Sequence, residues 1–182
     1  MQFSEFVASS GRPAQFRPGE HVFRQGDPDR SIYLLQEGLL KAYYLSDDGR
    51  ETIKSFVLAG DTISSLSSAW KKTVCTFNLI ALEASALVGI DFDELYEASR
   101  TDLELARDVM NLLLEFAMKK ERREREFLTE SAEVRYRLLA EQSPGLIEKV
   151  KQKDVARYLG ITPVALSRIR ARCASNPIRT RR

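Results

Sequence analysis

Gln152-Lys153-Asp154-Val155-Ala156-Arg157-Tyr158-Leu159-Gly160-Ile161-Thr162-Pro163-Val164-Ala165-Leu166-Ser167-Arg168-Ile169-Arg170-Ala171 reads as two short helices joined by a tight turn. Ala156 is small where the helices would cross. Gly160 can take the left-handed backbone that the turn needs. Thr162 suits the N-cap of the second helix, and Pro163 is pre-set for its first turn. Val155, Leu159, Ile161, Leu166 and Ile169 supply a shared apolar core. That leaves Pro163, Val164, Ser167, Arg168 and Ala171 on the outer face of the second helix. In helix-turn-helix proteins this is the face that enters the major groove. The competing reading is an αα-hairpin used for protein contacts.

Charge favours the first reading. The whole chain of 182 residues carries a net +2, but residues 131–182 hold 12 Lys and Arg against 4 Asp and Glu. Residues 1–130 hold 16 against 22. A basic C-terminal third on an acidic body is the footprint of polyanion binding. Six arginines lie between Arg168 and Arg182 with no acid among them, and Asn176 to Arg182 read as a flexible basic extension.

Upstream, residues 101–130 carry the pattern of one long helix. Leu103, Ala106, Met110, Leu113 and Ala117 step by three and four, as a heptad seam does. Leu105, Val109, Leu112 and Phe116 make a second apolar stripe. One stripe is expected to cover the chain's own β domain and the other to meet a twin helix. From Lys119 to Glu126 every residue is charged, so that stretch is expected to be solvated. Ala132 to Gln142 forms a further helix, ended by Ser143-Pro144-Gly145.

Residues 14–92 look all-β. Ile32–Leu35, Leu39–Leu45, Glu51–Leu58, Phe77–Leu82 and Ala86–Ile90 are apolar or alternating runs separated by turn signals. Asp47-Asp48-Gly49 is a strong hairpin signal, because Asp-Gly tolerates the positive φ of a tight turn. Many short strands with regular turns read as a sandwich or a barrel.

Composition excludes several classes. No stretch approaches the roughly 20 uninterrupted apolar residues of a membrane span. The first residues lack the basic start and apolar run of a secretory signal, so the chain reads as cytoplasmic. Cys75 and Cys173 make no disulfide framework, four-thiolate cluster or structural zinc site by themselves. A single histidine, His21, rules out an internal multi-histidine metal site and argues against a cupin-like metalloenzyme.

With both halves read, the chain resembles the Crp/Fnr family of bacterial transcription regulators. Phe16-Arg17-Pro18-Gly19-Glu20-His21-Val22-Phe23-Arg24-Gln25-Gly26-Asp27 looks like the opening of that family's cyclic-nucleotide-binding-like barrel. Ile32-Tyr33-Leu34-Leu35-Gln36-Glu37-Gly38 is similar to its next strand and turn. Ala59-Gly60-Asp61 resembles the approach to its ligand loop, and Leu166-Ser167-Arg168-Ile169 the core of its recognition helix. The resemblance implies an α+β chain of three parts. Residues 1–100 would be a double-stranded β-helix (jelly-roll) barrel, residues 101–130 a dimerisation helix, and residues 131–182 a helix-turn-helix domain. It implies a non-enzymatic DNA-binding regulator whose partners are double-stranded DNA, a second copy of the chain and RNA polymerase, with no membrane. The alternative is a sensing module of the same fold that acts on a protein partner.

The departures from the family are specific. Members that bind cyclic AMP carry a Gly-Glu pair after Gly-Asp and, ten residues past the Glu, an Arg followed by Ser or Thr. The Glu accepts from the ribose hydroxyl and the Arg pairs with the cyclic phosphate. Here Gly60 and Asp61 are followed by Ser64 and Ser65 at the Gly-Glu pair, then Cys75 at the Arg and Thr76 after it. Both charged anchors are missing. Lys71 or Lys72 offers a cation, but nothing replaces the carboxylate. No cofactor is expected; the pocket is either empty or takes another effector. Cys75 reads as a buried thiol or a redox switch. On the DNA side, Thr162, Val164, Ser167, Arg168, Arg170 and Arg172 are the candidate contacts. Pro163 and Val164 stand where well-known members place Arg or Glu, and only Ser167 and Arg168 keep the pattern.

Overall fold

The computed structural model describes residues 1–175 and divides into two compact units, Met1–Ala117 and Met118–Arg182. The tail read above as a basic extension lies outside the described residues.

The first unit opens with helix α1 (Phe3–Ser10) and strands β1 (Arg12–Phe16) and β2 (His21–Phe23). The strands β3 (Ser31–Glu37), β4 (Leu39–Leu45), β5 (Glu51–Leu58) and β6 (Thr62–Ser64) follow. A short helix α2 (Leu66–Lys71) precedes β7 (Asn78–Ala81) and β8 (Ser85–Asp91). The strands form two antiparallel four-stranded sheets in the orders β1-β8-β3-β6 and β2-β7-β4-β5. This is the strand order of an eight-stranded jelly roll.

All five apolar runs named from the sequence lie in or across strands β3, β4, β5, β7 and β8. The Asp47-Asp48-Gly49 signal forms the β4–β5 hairpin. Gly49 has φ +79°, its N–H donates to the Ser46 carbonyl at 2.9 Å, and the Asp48 carboxylate accepts from the Arg50 N–H at 3.2 Å. The region is not all-β, because α2 interrupts it. Its sequence, Leu66-Ser67-Ser68-Ala69-Trp70-Lys71, is six residues long, too short for a 3.6-residue period to show, and it stops at Lys72, whose φ is +55°.

Inward-facing residues of both sheets share one core. Phe23, Tyr33, Leu35, Leu40, Ala42, Val57, Ile63, Phe77, Leu79 and Leu87 are all buried there. The other face of the first sheet is covered by helices. Ile32 and Ile90 pack with Phe6 of α1, with Leu95 of α3 (Phe92–Thr101), and with Leu105 of α4 (Leu103–Thr129). This is why Ile32 and Tyr33, neighbours on one strand, are both buried. α3 starts where Asp91 caps it, accepting from the Asp93 and Glu94 N–H groups. Asp102 does the same for Glu104 and Leu105.

In the second unit α5 (Ala132–Gln142) ends at the Ser-Pro-Gly stop, and α6 (Leu146–Lys149) leads to α7 (Gln152–Tyr158) and α8 (Pro163–Ser175). Leu139, Leu146, Val150, Val155, Ala156, Leu159, Leu166 and Ile169 are its buried apolar side chains. Ile161, expected in the same core, is only half-buried.

Candidate nucleic-acid interface

The turn between α7 and α8 has the geometry its residues dictate. Gly160 has φ +70°. The Thr162 hydroxyl accepts from the Ala165 N–H at 3.2 Å, and the Thr162 carbonyl accepts from the Leu166 N–H at 3.0 Å. Pro163 is the first residue of α8, where its missing N–H costs nothing. With Leu166 and Ile169 turned inward, Thr162, Pro163, Val164, Ser167, Arg168, Arg170 and Ala171 are exposed. Val164, in the first turn of this face, is 63% exposed.

The arginines of α8 differ. Arg168 and Arg170 make no ion pair or hydrogen bond among the described residues. Arg172 is paired: its Nε donates to Glu133 Oε2 at 2.8 Å. Arg137 donates to the other oxygen of Glu133 at 3.0 Å. These two guanidiniums hold the Glu133 carboxyl below its usual range, Arg172 contributing most. Sequence reading placed Arg172 with the DNA contacts and had no signal for Glu133, which lies 39 residues away.

The candidate ligand-pocket residues lie between β5 and β7, on either side of α2. Gly60, φ +90°, donates to the Leu35 carbonyl at 2.8 Å, and Asp61 turns its carboxylate back to the Leu58 N–H at 3.0 Å. Ser64 is buried and donates to the Ser31 carbonyl at 2.9 Å. Ser65 and Cys75 are also buried, and the thiol lies 3.5 Å from the Asp29 carbonyl. Burial pushes the Cys75 thiol up, against the opposing hydroxyls of Ser65 and Ser68. So Ser65 and Cys75 come together, and Thr76 does not join them, being exposed. Ser68, which the sequence did not single out, completes the group: its one hydroxyl proton lies between the Asp29 and Thr73 carbonyls, 2.6 and 2.8 Å from Oγ. Lys71 and Lys72 are both exposed. The buried group formed by Ser65, Ser68 and Cys75 thus consists of two hydroxyls and a thiol, with no charged side chain among the three. Among the described residues no three His, Cys, Asp or Glu side chains gather as metal ligands do. No helix among them is long and apolar enough to cross a membrane.

A jelly roll, a long helix and a helix-turn-helix are the parts of a DNA-binding transcription regulator. Comparison with known proteins agrees. The family model for the cyclic nucleotide-binding domain matches residues 13–102. Transcriptional activator protein anr of Pseudomonas aeruginosa is 30% identical over 183 residues, spanning 93% of this chain and 72% of that one. Electron transport regulator A of Shewanella oneidensis is 28% identical over 172 residues, spanning 88% and 68%. The solved structure of FixK2 from Bradyrhizobium japonicum shares the fold, with a TM-score of 0.77 at 18% identity over 92% of this chain and 86% of that one. The chain belongs to the Crp/Fnr family of transcriptional regulators.

Proposed function

We propose that the protein binds a two-fold symmetric operator as a homodimer through α4, and that its barrel answers to something other than cyclic AMP. The observation that carries this reading is the division of α4 into a covered stripe and an open one. Leu105 is fully buried and Val109 packs on the barrel's helical layer. Leu103 is 87% exposed, Met110 59% and Leu113 41%, and Ala117 is exposed beside them; Ala106, of the same seam, is half-buried. An apolar heptad seam left open in one chain is what a coiled-coil partner covers.

Arg168 and Ser167 read base edges, Arg170 meets phosphate, and Val164 reaches at most a thymine methyl. Thr162 acts through the cap of the reading helix. The protein performs no chemistry of its own. It works in the cytoplasm, and RNA polymerase is the further partner that such a regulator acts on. Selecting fragments from random duplex DNA with the purified full chain tests the reading. An inverted repeat with half-sites about one helical turn apart is the expected outcome. A non-repeated site, or no enrichment, would overturn it.

A further inference from the structure

The last carbonyls of a helix have no donor within the helix and need one from elsewhere. At the end of α7 two arginines from other helices supply it. Arg123, on α4, donates to the Tyr158 carbonyl at 3.2 Å. Arg135, on α5, donates to the Leu159 carbonyl at 3.0 Å. The other terminal nitrogen of Arg135 reaches the Phe127 carbonyl in the last turn of α4 at 3.1 Å and the carbonyl of Glu130, the residue just past that helix, at 2.8 Å. One guanidinium thus joins the C-terminal ends of α4 and α7.

Ring contacts repeat the same connection. The Arg123 guanidinium lies 3.8 Å from the centre of the Tyr158 ring, and that of Arg135 4.7 Å from the Phe127 ring. Phe127 in turn sits against the bare Cα of Gly160. A Cβ there would lie 2.9 Å from Cζ of Phe127 and 3.0 Å from Cε2. All of these residues belong to the second unit. The charged stretch of α4, expected from sequence to be solvated, is therefore only partly so: Arg123 and Glu126 are half-buried. Water alone would satisfy the carbonyls of an exposed turn. A planar fork that bridges two helix ends and also stacks on a ring adds direction, which lysine's point charge does not.

We infer that Arg123 and Arg135 are positioning residues for DNA recognition. They fix the helix-turn-helix at one angle on the end of α4 and so set the half-site spacing a dimer accepts. This rests on the dimeric reading proposed above. The test uses the full chain and three duplexes: a single half-site, the selected operator, and the operator with one base pair added to its centre. Wild type should prefer the operator to the lengthened one. Arg123→Gln and Arg135→Gln should bind the single half-site within about twofold of wild type and the operator about tenfold more weakly, because the second half-site no longer falls in register. Their preference between the two spacings should disappear. Arg123→Lys, which keeps the charge and not the fork, serves where the Gln variants fail to fold, and should lose the preference too. Variants that keep the preference, or that lose half-site and operator affinity equally, would overturn the assignment. Wild type indifferent to spacing would overturn the dimeric reading itself, and the positioning role with it.

Discussion

Arg172 and Glu133 meet at 2.8 Å, joining the recognition helix α8 to the first turn of α5. Arg137 completes the group on the other carboxylate oxygen. Glu133 is thus more acidic in the folded chain than in the unfolded one, where its value is near 4.5. A carboxyl lowered by folding contributes stability above its unfolded value and loses it as pH falls through the folded one. Glu133→Gln should therefore melt below wild type at neutral pH. The two melting curves should converge on the acid side of 4.5. Thermal unfolding followed across that range checks this, and a gap that stays constant with pH would count against the pair.

The proposed dimer seam makes the second prediction. Met110→Glu together with Leu113→Lys places charge on the open stripe of α4 and leaves Leu105 and Val109 on the covered one. The barrel should stay folded while the protein sediments as one chain. Operator affinity should fall with it, since a dimer gains its affinity and spacing from two half-sites together. Sedimentation and circular dichroism measure the two effects separately. A wild-type mass of one chain at micromolar concentration would refute the prediction.

Cyclic AMP should bind weakly or not at all. Ser65 and Cys75, the residues that the resemblance sets at the Glu and Arg of cyclic-AMP binders, are buried, and burial pushes the thiol up. Removing a charge-assisted partner of a phosphate in a closed site costs roughly 2–5 kcal/mol, or one to four decades of affinity. Calorimetry on the full chain decides it. Micromolar affinity would overturn the claim and point to Lys71 or Lys72 as the substitute cation.

What the sequence made legible was what is local. Gly160, Thr162 and Pro163 announce the turn because φ +70°, a cap and a missing N–H are properties of single positions. The hairpin at Gly49 is legible for the same reason. The two stripes of α4 follow from spacing alone: in one Leu105 is buried and Val109, Leu112 and Phe116 half-buried, and in the other Leu103, Met110, Leu113 and Ala117 are exposed while Ala106 is half-buried. The helix α1 was missed: Phe3, Phe6 and Val7 have helical spacing, but eight residues make a marginal helix, and it is held by packing on Ile32, Ile90 and Leu105. The bonds of Arg123, Arg135 and Arg172 were missed because their partners are carbonyls and a carboxylate brought close only by folding. From sequence, each is one more arginine in a basic region.

Arg168 is expected to be the main base-reading side chain. It stands on the exposed face of α8, one residue ahead of the buried Ile169, with Ser167 beside it. No acid holds it among the described residues, in contrast to Arg172. Its guanidinium matches guanine O6 and N7 together, the commonest specific contact in the major groove. A phosphate contact would position the protein but carry no sequence information. Arg168→Ala should cost about 1–3 kcal/mol on the operator and relax selectivity at one base pair in each half-site. Arg170→Ala should weaken all DNA alike and lower the salt slope by about one. Arg172→Ala should lower it less, because Glu133 already shares that charge. Val164 offers only a methyl-sized contact, so specificity should lean on few positions and on DNA shape. Binding measured on operator and random duplex over a salt series separates these roles. Equal loss on both duplexes in Arg168→Ala would make Arg168 a phosphate contact and leave the reading face without its principal reader.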